Sequence, residues 1–209
     1  MKLDQLSVRE FITELSSGNP TPGGGSVAAL CGALGAALSG MVANLTVDRE
    51  RYEQTRKSME EAKKTAANLS ARFLELMQED SDTYQRVMAA FELPKETDDQ
   101  KASRQAAIEE AMKKAALVPL DTLRASEELI RVARDAVKGG NPNAITDAAA
   151  AVQLANTTAV VASYNVQINI SRIEDQAFVA KCEKEVTDIL ERQEALISDV
   201  DGSANIYLK

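Results

Sequence analysis

Residues 26–47 read SVAALCGALGAALSGMVANLTV, and the way this run is taken decides the fold. It lies inside a longer stretch, Leu15 to Val47, without a single charged residue. Its length alone would satisfy a membrane-spanning helix. Its composition argues otherwise: it is rich in alanine and glycine rather than leucine and isoleucine, and Ser39, Asn44 and Thr46 interrupt it. Ala28, Gly32, Ala36 and Gly40 recur every four residues, which on a helix makes a flat stripe that lets another backbone approach closely. A buried central helix, with the stripe available for a subunit contact, is the expectation.

A second uncharged block, Gly139 to Ser171, has Asp147 as its one charge. It continues from its opening loop as ITDAAAAVQLANTTAVVASYNVQINI. Both blocks are entered through a Gly-Asn-Pro loop, Gly18-Asn19-Pro20 and Gly140-Asn141-Pro142, a rough echo rather than a repeat. Amphipathic segments surround them. Ser7 and Glu10 have capping-box spacing, Leu6 can staple onto Phe11, and Val8, Phe11, Ile12 and Leu15 share a face. From about Tyr52 to Pro94, Met59, Ala62, Ala66, Leu69, Phe73, Leu76, Asp80, Thr83, Val87 and Ala90 alternate three and four residues apart, a sustained seam. Thr97 and Gln100 cap a further helix to about Val118, where Pro119 kinks or breaks it; the pattern resumes to Lys138, and Gly139-Gly140 stops it. A last helix covers about Asp175 to Val200, and residues 201–209 read as a frayed tail. The expected fold is all-α: one domain over 1–209, a helical bundle with two uncharged central helices wrapped by amphipathic ones.

The 209 residues can bury a core without staples. Aromatics make up only 4 % of a chain that is 44 % hydrophobic, which favours packed helices over sheets. A net charge of −8 speaks against a nucleic-acid partner. No basic segment followed by an apolar one opens at Met1, so no leader is expected, and neither is a membrane partner. Cys31 and Cys182 sit in helical patterns as core residues of a reducing, cytoplasmic compartment. The chain has no histidine, which removes His-based triads and the common catalytic zinc sites. Acid–base chemistry must then rest on carboxylates, lysine, tyrosine or the substrate itself.

Asp80 occupies a seam position where an apolar residue belongs. It is either a cleft carboxylate of raised pKa or a sign that the seam opens to water beside Glu79 and Asp82. Asp147 is either a second catalytic carboxylate or a first-turn acid favoured by the helix dipole. The run Thr21-Pro22-Gly23-Gly24-Gly25-Ser26 leads into a helix N-terminus, where backbone N–H groups collect anions, or is a plain tight turn. It is neither a P-loop nor a dinucleotide fingerprint. The amides Asn44, Asn156, Asn165, Gln167 and Asn169 either line a polar cavity or cross-link buried helices.

The run PTPGGGSVAALCGALGAALSGMVANLT resembles the signature of the cyclodeaminase/cyclohydrolase family, and the likeness continues through LPKET, VPL, KGGNPNAITD and NVQINI. That family includes the C-terminal half of formiminotransferase-cyclodeaminase and stand-alone methenyltetrahydrofolate cyclohydrolases. The resemblance implies an all-helical homodimer or dimer of dimers acting on a tetrahydrofolate derivative. In LMQEDSDTY it places the family's catalytic aspartate on Asp80. It also implies that Pro22, Gly23, Gly24, Gly25 and Ser26, with Asn141, Asn143 and Asp147 of the second loop, help form the folate pocket. Relatives often carry a Lys-rich stretch after the second helix; here Arg49 and Arg51 are its remaining basic residues, and Arg49 is the candidate tail contact. No metal and no cofactor beyond the tetrahydrofolate substrate is expected. Cyclohydrolysis is the favoured reaction, cyclodeamination the alternative, and a silent folate-binding or scaffold protein the reading from another class.

Overall fold

The computed structural model describes residues 2–207, with side chains through residue 200. Its α-helices are α1 (Val8–Leu15), α2 (Gly24–Val47), α3 (Glu53–Phe91), α4 (Asp98–Gly139), α5 (Ile145–Ile170) and α6 (Gln176–Tyr207). No strand occurs among the described residues. The expected capping boxes are both present: Ser7 with Glu10 starts α1, and Thr97 with Gln100 starts α4.

Helices α2 to α5 form an antiparallel four-helix bundle in which α2 packs on both α3 and α5. The α3 seam turns inward position by position: Met59, Ala62, Ala66, Leu69, Phe73, Leu76, Thr83, Val87 and Ala90 are all buried. Small residues on α2 make this possible. A Cβ at Gly32 would lie 2.5 Å from the buried ring of Phe73, and one at Gly35 would lie 3.2 Å from the Ala151 carbonyl of α5. The Ala28–Gly40 stripe therefore serves a close crossing within the chain, with α3, and is not free for another subunit. What α2 leaves uncovered is the opposite side, where Leu34, Met41 and Leu45 are exposed.

Two boundaries differ from the sequence pattern. Helix α4 runs unbroken through Pro119, so of the expected kink or break the break is absent. Proline has no N–H, so the helix bond to the Ala115 carbonyl is missing, and Asn169 of α5 donates to that oxygen instead at 2.8 Å. Helix α6 continues to Tyr207 rather than ending at Val200; of the tail read as frayed, Leu208 and Lys209 lie outside the described residues. It lies alongside α4, joined by Arg124–Glu185 and Arg192–Glu127 pairs and by a buried bond from Gln193 to Ser126. Such partly exposed ion pairs orient more than they stabilise. Helix α1 buries only Phe11, and Val8, Ile12 and Leu15 of its apolar face are exposed.

Candidate active site

At the end of the bundle where α2 begins, a cleft of about 360 Å³ opens between α2, α3, α4 and α5. Its floor is the N-terminus of α2. Gly23 caps that helix without a side chain, and Asp80 of α3 fills the vacancy. The Asp80 carboxylate lies directly on Gly25: a Cβ there would sit 2.1 Å from Oδ1. Glycine at this position is thus a requirement of the close approach. The Ser26 hydroxyl donates to Asp80 Oδ2 at 2.8 Å.

Burial raises the Asp80 pKa above the ordinary aspartate value, and the hydroxyl and backbone N–H of Ser26 only partly oppose it. A carboxylate held at a helix N-terminus, yet still pushed towards protonation, is better placed than an ordinary aspartate both to take and to give a proton. Thr83, Tyr84, Val87, Met88 and Phe91 continue along the same face of α3, making one wall mostly apolar. Asn165 and Asn169 of α5 face it, and Arg172 just beyond α5 stands at the rim. Thr83, Tyr84 and Phe91 share Asp80's helical face, so their place in the wall was open to reading from spacing alone. Arg172 carried no such signal.

The cleft gathers Asp80, Gly23, Gly24 and Gly25, with Ser26 behind the carboxylate. Pro22 is buried next to this loop and does not line the cleft. Asn44, Arg49, Asn141, Asn143 and Asp147 are elsewhere. They cluster at the opposite end of α2, about 35 Å away at 1.5 Å rise per residue. There Asn141 is a structural latch. Its N–H donates to Thr46 Oγ1 at 2.9 Å, its Oδ1 accepts from the Tyr52 hydroxyl at 3.0 Å, and it is buried. Asn143 contributes its backbone N–H to the Asn141 side chain, Asn44 borders a groove between α2 and α3, and Arg49 is exposed. Asp147 stands in the first turn of α5, the place the helix dipole favours for an acid.

A helical bundle with a largely buried carboxylate and two amides in an end cleft is the arrangement that carboxylate acid–base chemistry requires. The chain belongs to the formiminotransferase-cyclodeaminase family, whose model matches residues 7–188. It is similar to a methenyltetrahydrofolate cyclohydrolase from Methylorubrum extorquens, 37 % identical over 91 % of each chain. It is also similar to formimidoyltransferase-cyclodeaminase from Rattus norvegicus, 29 % identical over 94 % of this chain but only 36 % of that longer protein. The crystal structure of formiminotetrahydrofolate cyclodeaminase from Thermotoga maritima superposes with a TM-score of 0.81 at 29 % identity, covering 99 % of this chain and 97 % of that one.

Proposed function

We propose that the protein is a methenyltetrahydrofolate cyclohydrolase that opens 5,10-methenyltetrahydrofolate to 10-formyltetrahydrofolate, with Asp80 as the proton relay. The observation that carries this is the Asp80 carboxylate, seated on Gly25 and bonded to Ser26 at the floor of the cleft. The likeness to the Methylorubrum enzyme over nearly its whole length supports it.

The carbon bridging N5 and N10 is already cationic, so a nearby carboxylate stabilises it and no Lewis acid is called for. Water adds to that carbon, and Asp80 takes the proton lost as the C–O bond forms. The C–N5 bond then breaks with delivery of that proton to N5. The hydroxyl proton leaves to solvent as the formyl carbonyl forms on N10, so the cycle releases one proton overall. Gly23, Gly24 and Gly25 let the ligand approach backbone N–H groups, and the apolar wall from Tyr84 to Phe91 receives the ring system. No cofactor beyond the folate is part of this reading, and its setting is the cytoplasm.

Cyclodeamination is the second reading, favoured by the close superposition on the Thermotoga cyclodeaminase. There N10 would attack the formimino carbon on N5 and ammonia would leave, with the same carboxylate moving protons. Incubating the protein separately with methenyltetrahydrofolate and formiminotetrahydrofolate decides between them. Faster loss of the methenyl chromophore than in buffer alone is expected. Ammonia from the formimino compound, with no acceleration of methenyl loss, would establish the second reading.

The same reading includes a homodimer. The exposed side of α2 carries Leu34, Met41 and Leu45, and α2 brings no charge to it. An uncharged face of this kind is costly to leave in water, and a second copy is the partner that always accompanies it.

A further inference from the structure

Asn165 and Asn169 lie one turn apart on the face of α5 that lines the cleft. Each has its amide direction fixed. Asn165 Nδ2 donates to the Val161 carbonyl at 2.8 Å, and Asn169 Nδ2 donates to the Ala115 carbonyl at 2.8 Å. Because a carbonyl only accepts, the nitrogen must face it, and the side-chain oxygen is left as the free acceptor. Neither Oδ1 has a partner among the described residues.

The Asn169 bond has a remote cause. Ala115 stands four residues before Pro119, so its carbonyl is the one that loses a helix partner to the proline ring. Pro119, buried in α4, thereby supplies an acceptor that pins the Asn169 amide across the helix interface. Asn165 sits beside Gly24, near the reacting end; Asn169 lies one turn further along, about 6 Å away.

Building on the folate reading, we propose that Asn169 is a specificity-determining residue whose Oδ1 accepts from the N3–H and 2-amino donors on the pyrimidine edge of the pterin, and that Pro119 is its positioning residue. With the one-carbon bridge at Asp80, the pterin extends along α5 and brings its donor edge towards Asn169. A site built to accept these hydrogens rejects a ring that lacks them, because the acceptor is then left without a partner.

The test compares two competitive inhibitors of methenyltetrahydrofolate hydrolysis, tetrahydrofolate and its 2-desamino-2-methyl analogue. The wild type is expected to prefer tetrahydrofolate by about tenfold or more. Asn169→Leu should bring that ratio close to one. Pro119→Ala, which touches no ligand, restores a helix N–H that competes for the Ala115 carbonyl, and should reduce the ratio while the helix content stays as in the wild type. This second variant keeps the test decisive if Asn169→Leu fails to fold. A wild-type ratio near one, or one that survives in the folded variants, overturns the inference and leaves the cyclohydrolase reading standing. A wild type that neither binds nor hydrolyses methenyltetrahydrofolate overturns both.

Discussion

Asp80 and Gly25 are a matched pair. The carboxylate occupies the space a Cβ at Gly25 would take, and its atoms are the movable end of a side chain rather than fixed backbone. Gly25→Ala should therefore fold, yet swing Asp80 away from Ser26 and lower turnover at least about tenfold, within the range general acid–base catalysis supplies. Circular dichroism melts beside steady-state rates check this; a folded variant of unchanged turnover would count against it. Burial also makes Asp80 a stability sensor. Its folded pKa is raised, so the protonated form is the one that favours the native state. Relative to Asp80→Asn, the wild type should be at its most stable below the unfolded aspartate pKa of about 3.9. That advantage should fall as pH rises through the raised folded value. Urea unfolding of both proteins across that range measures the difference, and a difference growing with pH would contradict the burial account. The sequence exposed Asp80 because a carboxylate broke an otherwise apolar seam. It could not say whether the seam was dry there, since that depends on what α2 and α5 bring alongside.

At the scale of elements, the seam of α3 was legible residue by residue, because burial of one face dictates a repeat of three and four. Both capping boxes were legible for a similar local reason. The Gly-Asn-Pro loops misled, and Pro119 shows why. A break at Pro119 would add one helix between α2 and α5, making them parallel and placing both loops at one end. Because α4 runs unbroken, α5 is antiparallel to α2 and the loops lie at opposite ends. That parity consigned Asn141, Asn143 and Asp147 to the far end of the bundle. The glycine stripe makes the close crossing that its spacing implies, and its partner is α3. Gly32→Ala would drive a Cβ into the Phe73 ring, which is 0 % exposed and has nowhere to go. A cost of about 1–3 kcal/mol is expected from overpacking, seen as a lowered melting temperature. Indifference to Gly32→Ala would mean the α2–α3 crossing is looser than the structure has it.

At the scale of the molecule, the bundle covers α2 and α5 on one side and leaves the other open, a feature no single helix pattern contains. If a second copy lies there, the wild type should scatter light as a dimer at micromolar concentration. Leu34→Glu should yield a monomer with the same helix content, since a carboxylate on that face would be buried without a partner. A wild-type monomer, or a dimer indifferent to Leu34→Glu, would contradict the placement. In the proposed mechanism the chemistry rests on one carboxylate at one end of the bundle, Asp80. Its most direct measurement is the loss of methenyltetrahydrofolate absorbance, in excess chelator, with wild type and Asp80→Asn at equal concentration and the spontaneous rate subtracted. The wild type should accelerate the loss whether or not chelator is present, and Asp80→Asn should be at least about a hundredfold slower while still folded. Equal rates for the two proteins, or wild-type activity abolished by chelator and restored by a divalent metal, would contradict Asp80 as the relay of a metal-independent cyclohydrolase.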